Sequence, residues 1–137
     1  MTTPSDDVPA LVLEDVCRIH QDGPTTITAL DHVNLTVMPG ELVAVMGPSG
    51  SGKTTLLNIA GTLDAPTSGR VFIAGNDSGY LPPTARATIR RTHVGFVFQD
   101  FNLIPTLTVL ENVSLPLELG KMPTKEARAQ GRAALED

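Results

Sequence analysis

Residues 47–55, Gly47-Pro-Ser-Gly-Ser-Gly-Lys-Thr-Thr55, are the stretch of this chain best built to hold an anion. They satisfy the spacing G-x-x-x-x-G-K-[ST], with Gly47, Gly52, Lys53 and Thr54 at the named places. Glycines at 47, 50 and 52 let the backbone turn sharply, so that successive N–H groups converge as an anion-binding nest. Pro48, Ser49 and Ser51 fill the loop between them, and Thr55 follows in the helix that begins near Lys53. That helix adds the positive end of its dipole. Lys53 is suited to reach the outer phosphates of a purine nucleoside triphosphate. The Thr54 hydroxyl is a hard oxygen donor suited to Mg²⁺.

The flanking residues supply the elements this loop requires. Glu41-Leu-Val-Ala-Val-Met46 is a short apolar run of the kind found in a buried parallel strand. Thr55-Leu-Leu-Asn-Ile-Ala60 places Leu56, Ile59 and Ala60 on one helical face. Strand, glycine loop and helix in that order distinguish a phosphate loop from an ordinary Gly/Ser turn.

The 137-residue chain has a formal net charge of −5 and only three lysines, one of them Lys53. That balance argues against a nucleic-acid role. The single cysteine, Cys17, excludes an intramolecular disulfide framework and fits a reducing cytosol, and a small buried side chain is its expected role. No apolar run is long enough to span a bilayer, and the first residues do not form a signal peptide. The expectation is a soluble, cytoplasmic protein whose membrane contact comes through a partner.

Residues 1–9 read as a disordered leader. A strand is expected from Leu11 to Ile19, a turn at Gln21-Asp-Gly-Pro24, and a strand with one wet face at Val33–Val37. Asp64–Gly69 is a loop and Arg70–Ala74 a short strand. A helix over 84–91 carries Arg86 and Arg90 one turn apart, expected as a solvated face. Val94-Gly-Phe-Val-Phe98 reads as another buried strand ending at Gln99. A helix from Thr108 to Leu119 is expected to break at Pro116, and a last helix runs from near Thr124 to Asp137.

The remaining motifs narrow the class of nucleotide machine. The guanine-reading Asn/Thr-Lys-x-Asp of a GTPase is absent around Lys121 and Lys125. A guanylate-type kinase, or a free-standing regulatory ATP-binding module, is the alternative reading. Kinase phosphate loops open the chain, however, whereas more than forty residues precede this one. The segments 29–42, 63–71 and 94–113 resemble, in order, three separated parts of an ABC transporter ATP-binding subunit. They are similar to the strand leading into the phosphate loop, the loop and strand after the first helix, and the Q-loop with the start of the helical subdomain. The wording is closest to the branch that drives lipoprotein release and macrolide-type export.

The resemblance implies an α/β P-loop NTPase of ABC ATPase type, incomplete in this chain. It would comprise an antiparallel β-subdomain, part of the RecA-like core and the start of the helical subdomain. The domain would occupy 10–137, with the Q-loop at 99–105 and the helical subdomain from 106. ATP and Mg²⁺ are the implied cofactors. Lys53 and Gln99 are the candidate catalytic residues, and Thr54 and Gln99 the candidate metal contacts. Gln99 suits the Q-loop better than Asp100 suits a Walker B acid. Asp100 lies one place late, and adjacent strand residues point to opposite faces. His20 falls where the family usually places an aromatic residue on adenine, and so joins the candidate nucleotide contacts. His32 and His93 precede the Q-loop and cannot be the family's switch histidine.

No Leu-Ser-Gly-Gly-Gln signature, Walker B run with catalytic Glu, D-loop or switch histidine occurs in these residues. The chain therefore reads as a truncated subunit. The implied partners are a membrane permease or fused transmembrane domain and a second nucleotide-binding domain, with no nucleic acid. The implied location is peripheral, on the inner face of the cell membrane. By resemblance the Walker B strand lies beside the phosphate-loop strand, so a sheet without it is expected to expose an apolar edge.

Overall fold

The computed structural model describes residues 8–136. Residues 1–7 of the expected leader lie outside the described residues. The described chain divides into two compact units, one ending at Val94 and one beginning at Gly95.

The first unit is built on a twisted antiparallel sheet. Strand β1 (Leu11–Asp22) and strand β2 (Thr25–Val37) form a long hairpin, closed where Asp22 pairs with Thr25. Both strands outrun their sequence-based limits. The β-branched run Thr25-Thr-Ile-Thr28 continues the ladder to the turn, where the 33–37 alternation alone had marked the strand. Strand β3 (Ser68–Ile73) pairs with the other side of β1, and the two-residue β4 (Asn76–Asp77) pairs with β3, giving the order β2-β1-β3-β4. The β1–β2 ladder slips three times along its length. At the slip near Asp15 the backbone of β1 pushes against Gly69, which takes φ 90. A Cβ there would collide with the Asp15 carbonyl, so only glycine fits.

One face of this sheet carries the core. Leu13, Val16, Leu30 and Val71 pack with Ile59 of helix α1 (Lys53–Ala60), flanked by Leu11, Val33, Leu35 and Leu56. Ile59 and Leu56 thus lie on the face that the helical spacing predicted. Arg18 closes the edge of this layer through an ion pair to Asp64 at 2.8 Å.

Helix α2 (Pro83–His93) starts on Pro83, whose missing N–H costs nothing in a first turn. Its arginines do not form the expected solvated face. Arg90 is half-buried and donates to the Thr62 carbonyl at 2.6 Å. Arg86 buries its Nε and one terminal nitrogen without a partner among the described residues. Long aliphatic stems carry both guanidinium groups inward over the helix, which the one-turn spacing could not show.

Neither apolar segment expected as a buried parallel strand is one here. Residues 41–46 and 94–98 form no strand and pair with none among the described residues. Leu42 is 97% exposed and Val97 103%. Hydrophobicity alone cannot bury a parallel strand, which needs a hydrogen-bonded neighbour and covering helices. The zigzag of the second segment survives without pairing: Phe96 and Phe98, two residues apart, stack with centroids 5.3 Å apart.

The second unit is a helical hairpin, α3 (Val109–Leu119) and α4 (Thr124–Glu136). Small residues let the two approach: Ser114, Ala127 and Gly131 are buried between them. A Cβ on Gly131 would lie 3.3 Å from Leu110 and 3.4 Å from Ser114. Arg128 reaches Glu111 at 3.2 Å across the pair. Pro116 does not break α3. Its ring already holds a helical φ, it forfeits a single hydrogen bond late in an 11-residue helix, and Gly120 N–H still reaches the Pro116 carbonyl at 3.1 Å.

Candidate nucleotide site

The phosphate loop opens onto a cleft of about 260 Å³. Ser49, Gly50, Gly52, Lys53, Thr54 and Thr55 form one wall, and Ile27, Thr28 and Ala29 of β2 form the other. Gly52 caps α1 at φ 87, with the Ala29 carbonyl lying where a Cβ would stand. Glycine here is both a conformational and a steric necessity. No side chain caps this helix. Its first-turn amides are thus open to the cleft, as an anion site at a helix N-terminus requires.

Lys53 bends back over the loop, its Nζ donating to the carbonyls of Gly47 at 2.9 Å and Pro48 at 2.7 Å. The ammonium is thereby held at the mouth of the nest, not out in solvent. Thr54 is exposed in the first turn and lines the same cleft. A cation beside bound phosphates would meet this hydroxyl, and the donor set suits a hard ion such as Mg²⁺. Gly47, Pro48 and Ser51 complete the loop behind these groups, with Ser51 N–H bonded to the Pro48 carbonyl at 3.3 Å.

His20 pairs directly with Ile27 across the β1–β2 ladder. Directly opposed residues share a face of an antiparallel pair, so the half-buried imidazole stands beside a residue of the cleft wall. Ile27, Thr28 and Ala29 were not anticipated as wall residues. The β-branched run marked a strand, but nothing local said that it would curve against the loop. The cause is a ladder slip between Arg18–Leu30 and Ile19–Thr28, which leaves Ala29 as an extra residue and bends β2 toward Gly52.

Gln99 belongs to the second unit, exposed at the bend that follows Phe98, and makes no side-chain hydrogen bond among the described residues. After it, Phe101, Leu103 and Ile104 are exposed. This loop is held at its far end by Asn112. The Asn112 Oδ1 accepts from Ile104 N–H at 2.8 Å, and Nδ2 donates to the carbonyls of Ile104, Leu107 and Thr108. Thr108 and Glu111 form a capping box at the start of α3. The spacing Thr108-x-x-Glu111 before an apolar run is a sequence signal for that box. Asn112 has no such local signature.

Glu111 is held below the usual carboxylate range, first by the Thr108 backbone N–H it accepts and then by the Thr108 hydroxyl. No helix among the described residues is long and apolar enough to cross a membrane.

Comparison with known proteins places the family and the fold. A family model described as ABC transporter matches residues 30–137. The lipoprotein-releasing system ATP-binding protein LolD of Bordetella pertussis is 42% identical over 136 residues, covering 99% of this chain and 59% of LolD. The macrolide export ATP-binding/permease protein MacB of Sodalis glossinidius is 42% identical over 128 residues, 93% of this chain and 20% of MacB. A solved dimer of the ATP-binding cassette MJ0796, in a post-hydrolysis state bound to ADP and Pi, superposes with a TM-score of 0.83 and 46% identity. That match covers 92% of this chain and 56% of the cassette. The chain thus spans little more than half of the cassette-length relatives and a fifth of the fused one. The α/β fold, with its antiparallel subdomain, phosphate-loop helix and following helices, is that of an ABC ATPase cassette. This chain belongs to the ABC transporter family.

Proposed function

We propose that this chain is the ATP-binding part of an ATPase subunit that powers export or lipoprotein release through a membrane permease. The observation that carries the reading is the cleft at the uncapped start of α1, with Lys53 held over it. Gly47 to Thr55 hold the phosphates, and Lys53 exchanges a loop carbonyl for a phosphate oxygen. Thr54 meets Mg²⁺, and His20 offers its ring to adenine beside Ile27. Gln99, at the head of a Q-loop over 99–105, reports nucleotide to the helical subdomain that follows from 106. The free-standing kinase alternative has no observation in its favour.

The permease contact is proposed at Asp100–Pro105, where exposed Phe101, Leu103 and Ile104 suit a short partner helix. The second proposed partner is another copy of the cassette, and the place is the inner face of the cell membrane. These 137 residues by themselves bind ATP without turning it over. In-line attack needs a positioned water and charge neutralisation from several sides, and no catalytic Glu follows an apolar strand here.

The test is Mg-ATP binding to the chain and to Lys53→Ala. Loss of a charge-assisted contact is worth about 1.5–3 kcal/mol, a roughly 10- to 150-fold weaker Kd. Equal affinity in the variant would refute the site. Phosphate release at the rate of an intact cassette, abolished by Lys53→Ala, would refute the silent-fragment reading.

A further inference from the structure

Where β1 and β2 meet near Cys17, β2 carries one residue too many. Val16 pairs with Val33 and Arg18 with Leu30, so Asp31 and His32 together stand opposite Cys17. Such a bulge re-aims the side chains of the longer strand. His32 takes φ 48, and its backbone N–H donates to Cys17 Sγ at 3.2 Å. One imidazole nitrogen of His32, Cys17 Sγ and an Asp31 carboxylate oxygen all lie within 4.8 Å of one another.

A second bulge sets the imidazole. Between Leu13–Leu35 and Val16–Val33, Glu14 and Asp15 stand opposite Asn34 alone, and Asp15 takes φ 53. Asn34 ties the two irregularities together. Its Oδ1 accepts from Asp15 N–H at 2.9 Å, and its Nδ2 donates to the His32 carbonyl at 3.0 Å. This places Asp15 Oδ1 2.7 Å from His32 Nδ1, leaving Nε2 free at 3.9 Å from Asp31 Oδ1.

The geometry points to a binding site for one borderline-soft divalent cation of the zinc type, with Cys17 Sγ, His32 Nε2 and an Asp31 oxygen as ligands and Asp15 orienting the imidazole. A carboxylate on the far nitrogen is the usual support of a metal-bound histidine, fixing tautomer and ring direction. One sulfur, one nitrogen and one oxygen suit zinc or cobalt(II) better than magnesium or calcium. Ligand atoms on a tetrahedral ion of this kind stand about 3.6 Å apart, given metal–ligand bonds near 2.0–2.3 Å. Asp31, whose side chain is 79% exposed, closes the remaining gap by rotating toward an imidazole that Asp15 holds in place, and the 69% exposure of His32 leaves an open path of entry. The site shares no residue with the nucleotide cleft, but Ala29 of the cleft wall lies only two residues before Asp31. A cation there would brace the strand against which the phosphate loop rests.

Cobalt(II) titration of the 137-residue chain, with a phosphine keeping Cys17 reduced, tests the assignment. The expected result is a thiolate-to-cobalt charge-transfer band saturating at one equivalent and displaced by Zn²⁺. Asp15→Asn keeps all three ligands and should weaken binding about 10- to 100-fold. His32→Asn, which tolerates the positive φ, and Asp31→Asn should each weaken it by at least that much, while Asp22→Asn leaves it unchanged. Cys17→Ser should erase the band. Because Cys17 is buried, the exposed His32, Asp31 and Asp15 variants decide the matter if Cys17→Ser unfolds. No charge-transfer band, or a band with the same affinity in His32→Asn and Asp31→Asn, would overturn the site. ATP affinity, governed by Lys53, is read separately and stands or falls independently.

Discussion

Gly52 joins two constraints at one atom, since its φ of 87 and the Ala29 carbonyl each exclude a side chain. Gly52→Ala should cost about 1–3 kcal/mol of stability and displace the loop from β2. Chemical denaturation and ATP titration together check this, and unchanged values in both would refute the packing argument. His32 carries a different lesson. Its pKa is raised above 6.5, chiefly by the hydrogen bond to Asp15, with the charges of Asp15 and Asp31 adding to it. A raised folded-state pKa contributes stability that is complete below about pH 6.5 and is lost as pH climbs through the raised value. An NMR titration of the metal-free chain should therefore place the His32 midpoint above 6.5, and Asp15→Asn should lower it. A midpoint unmoved by that change would rule out the pairing.

Among the elements, α1 and α3 depend on opposite kinds of ending. Helix α1 leaves its N-terminus free of a side-chain cap and is held instead by Ile59, 1% exposed in the core. Ile59→Ala should cost about 2–5 kcal/mol and weaken nucleotide binding with it, because the same helix aims the open amides. Helix α3 is instead capped at its N-terminus by Thr108 and Glu111 reciprocally. Thr108→Ala should cost about 1 kcal/mol, read from the melting of the helical hairpin. The lowered pKa of Glu111 gives the cap a pH limit of the opposite sign to that of His32. Its contribution is present above about pH 4.5 and disappears as pH falls through the lowered value. Acid should therefore fray α3 from its start, and Glu111→Gln should remove the part of that acid sensitivity due to the cap.

At the scale of the whole molecule, unpaired apolar backbone governs behaviour. Leu42, Met46, Val97 and Phe101 are nearly fully exposed, and the segments at 41–46 and 94–98 join no sheet among the described residues. Such segments template association with other chains. The chain should self-associate with rising concentration, and Leu42→Lys with Val97→Lys should suppress it in sedimentation experiments. Equal association in the double variant would place the sticky surface elsewhere.

The phosphate loop was legible because it is local. Gly47, Gly50, Gly52, Lys53 and Thr54 act through neighbours in the chain, and their spacing alone dictates a nest at a helix start. The hairpin, α1 and α4 were legible for the same reason, through alternation and helical spacing. Pro116 misled because one lost hydrogen bond is minor once α4 packs along α3. The inward turn of Arg86 and Arg90 and the curve of β2 toward Gly52 depend on partners distant in sequence. So does the bulge that gathers Asp15, Cys17, Asp31 and His32. Burial of 41–46 and 94–98 is the sharpest case, for an apolar run states only a preference. Whether that preference is met depends on a neighbouring strand to accept its hydrogen bonds, and only tertiary structure supplies one.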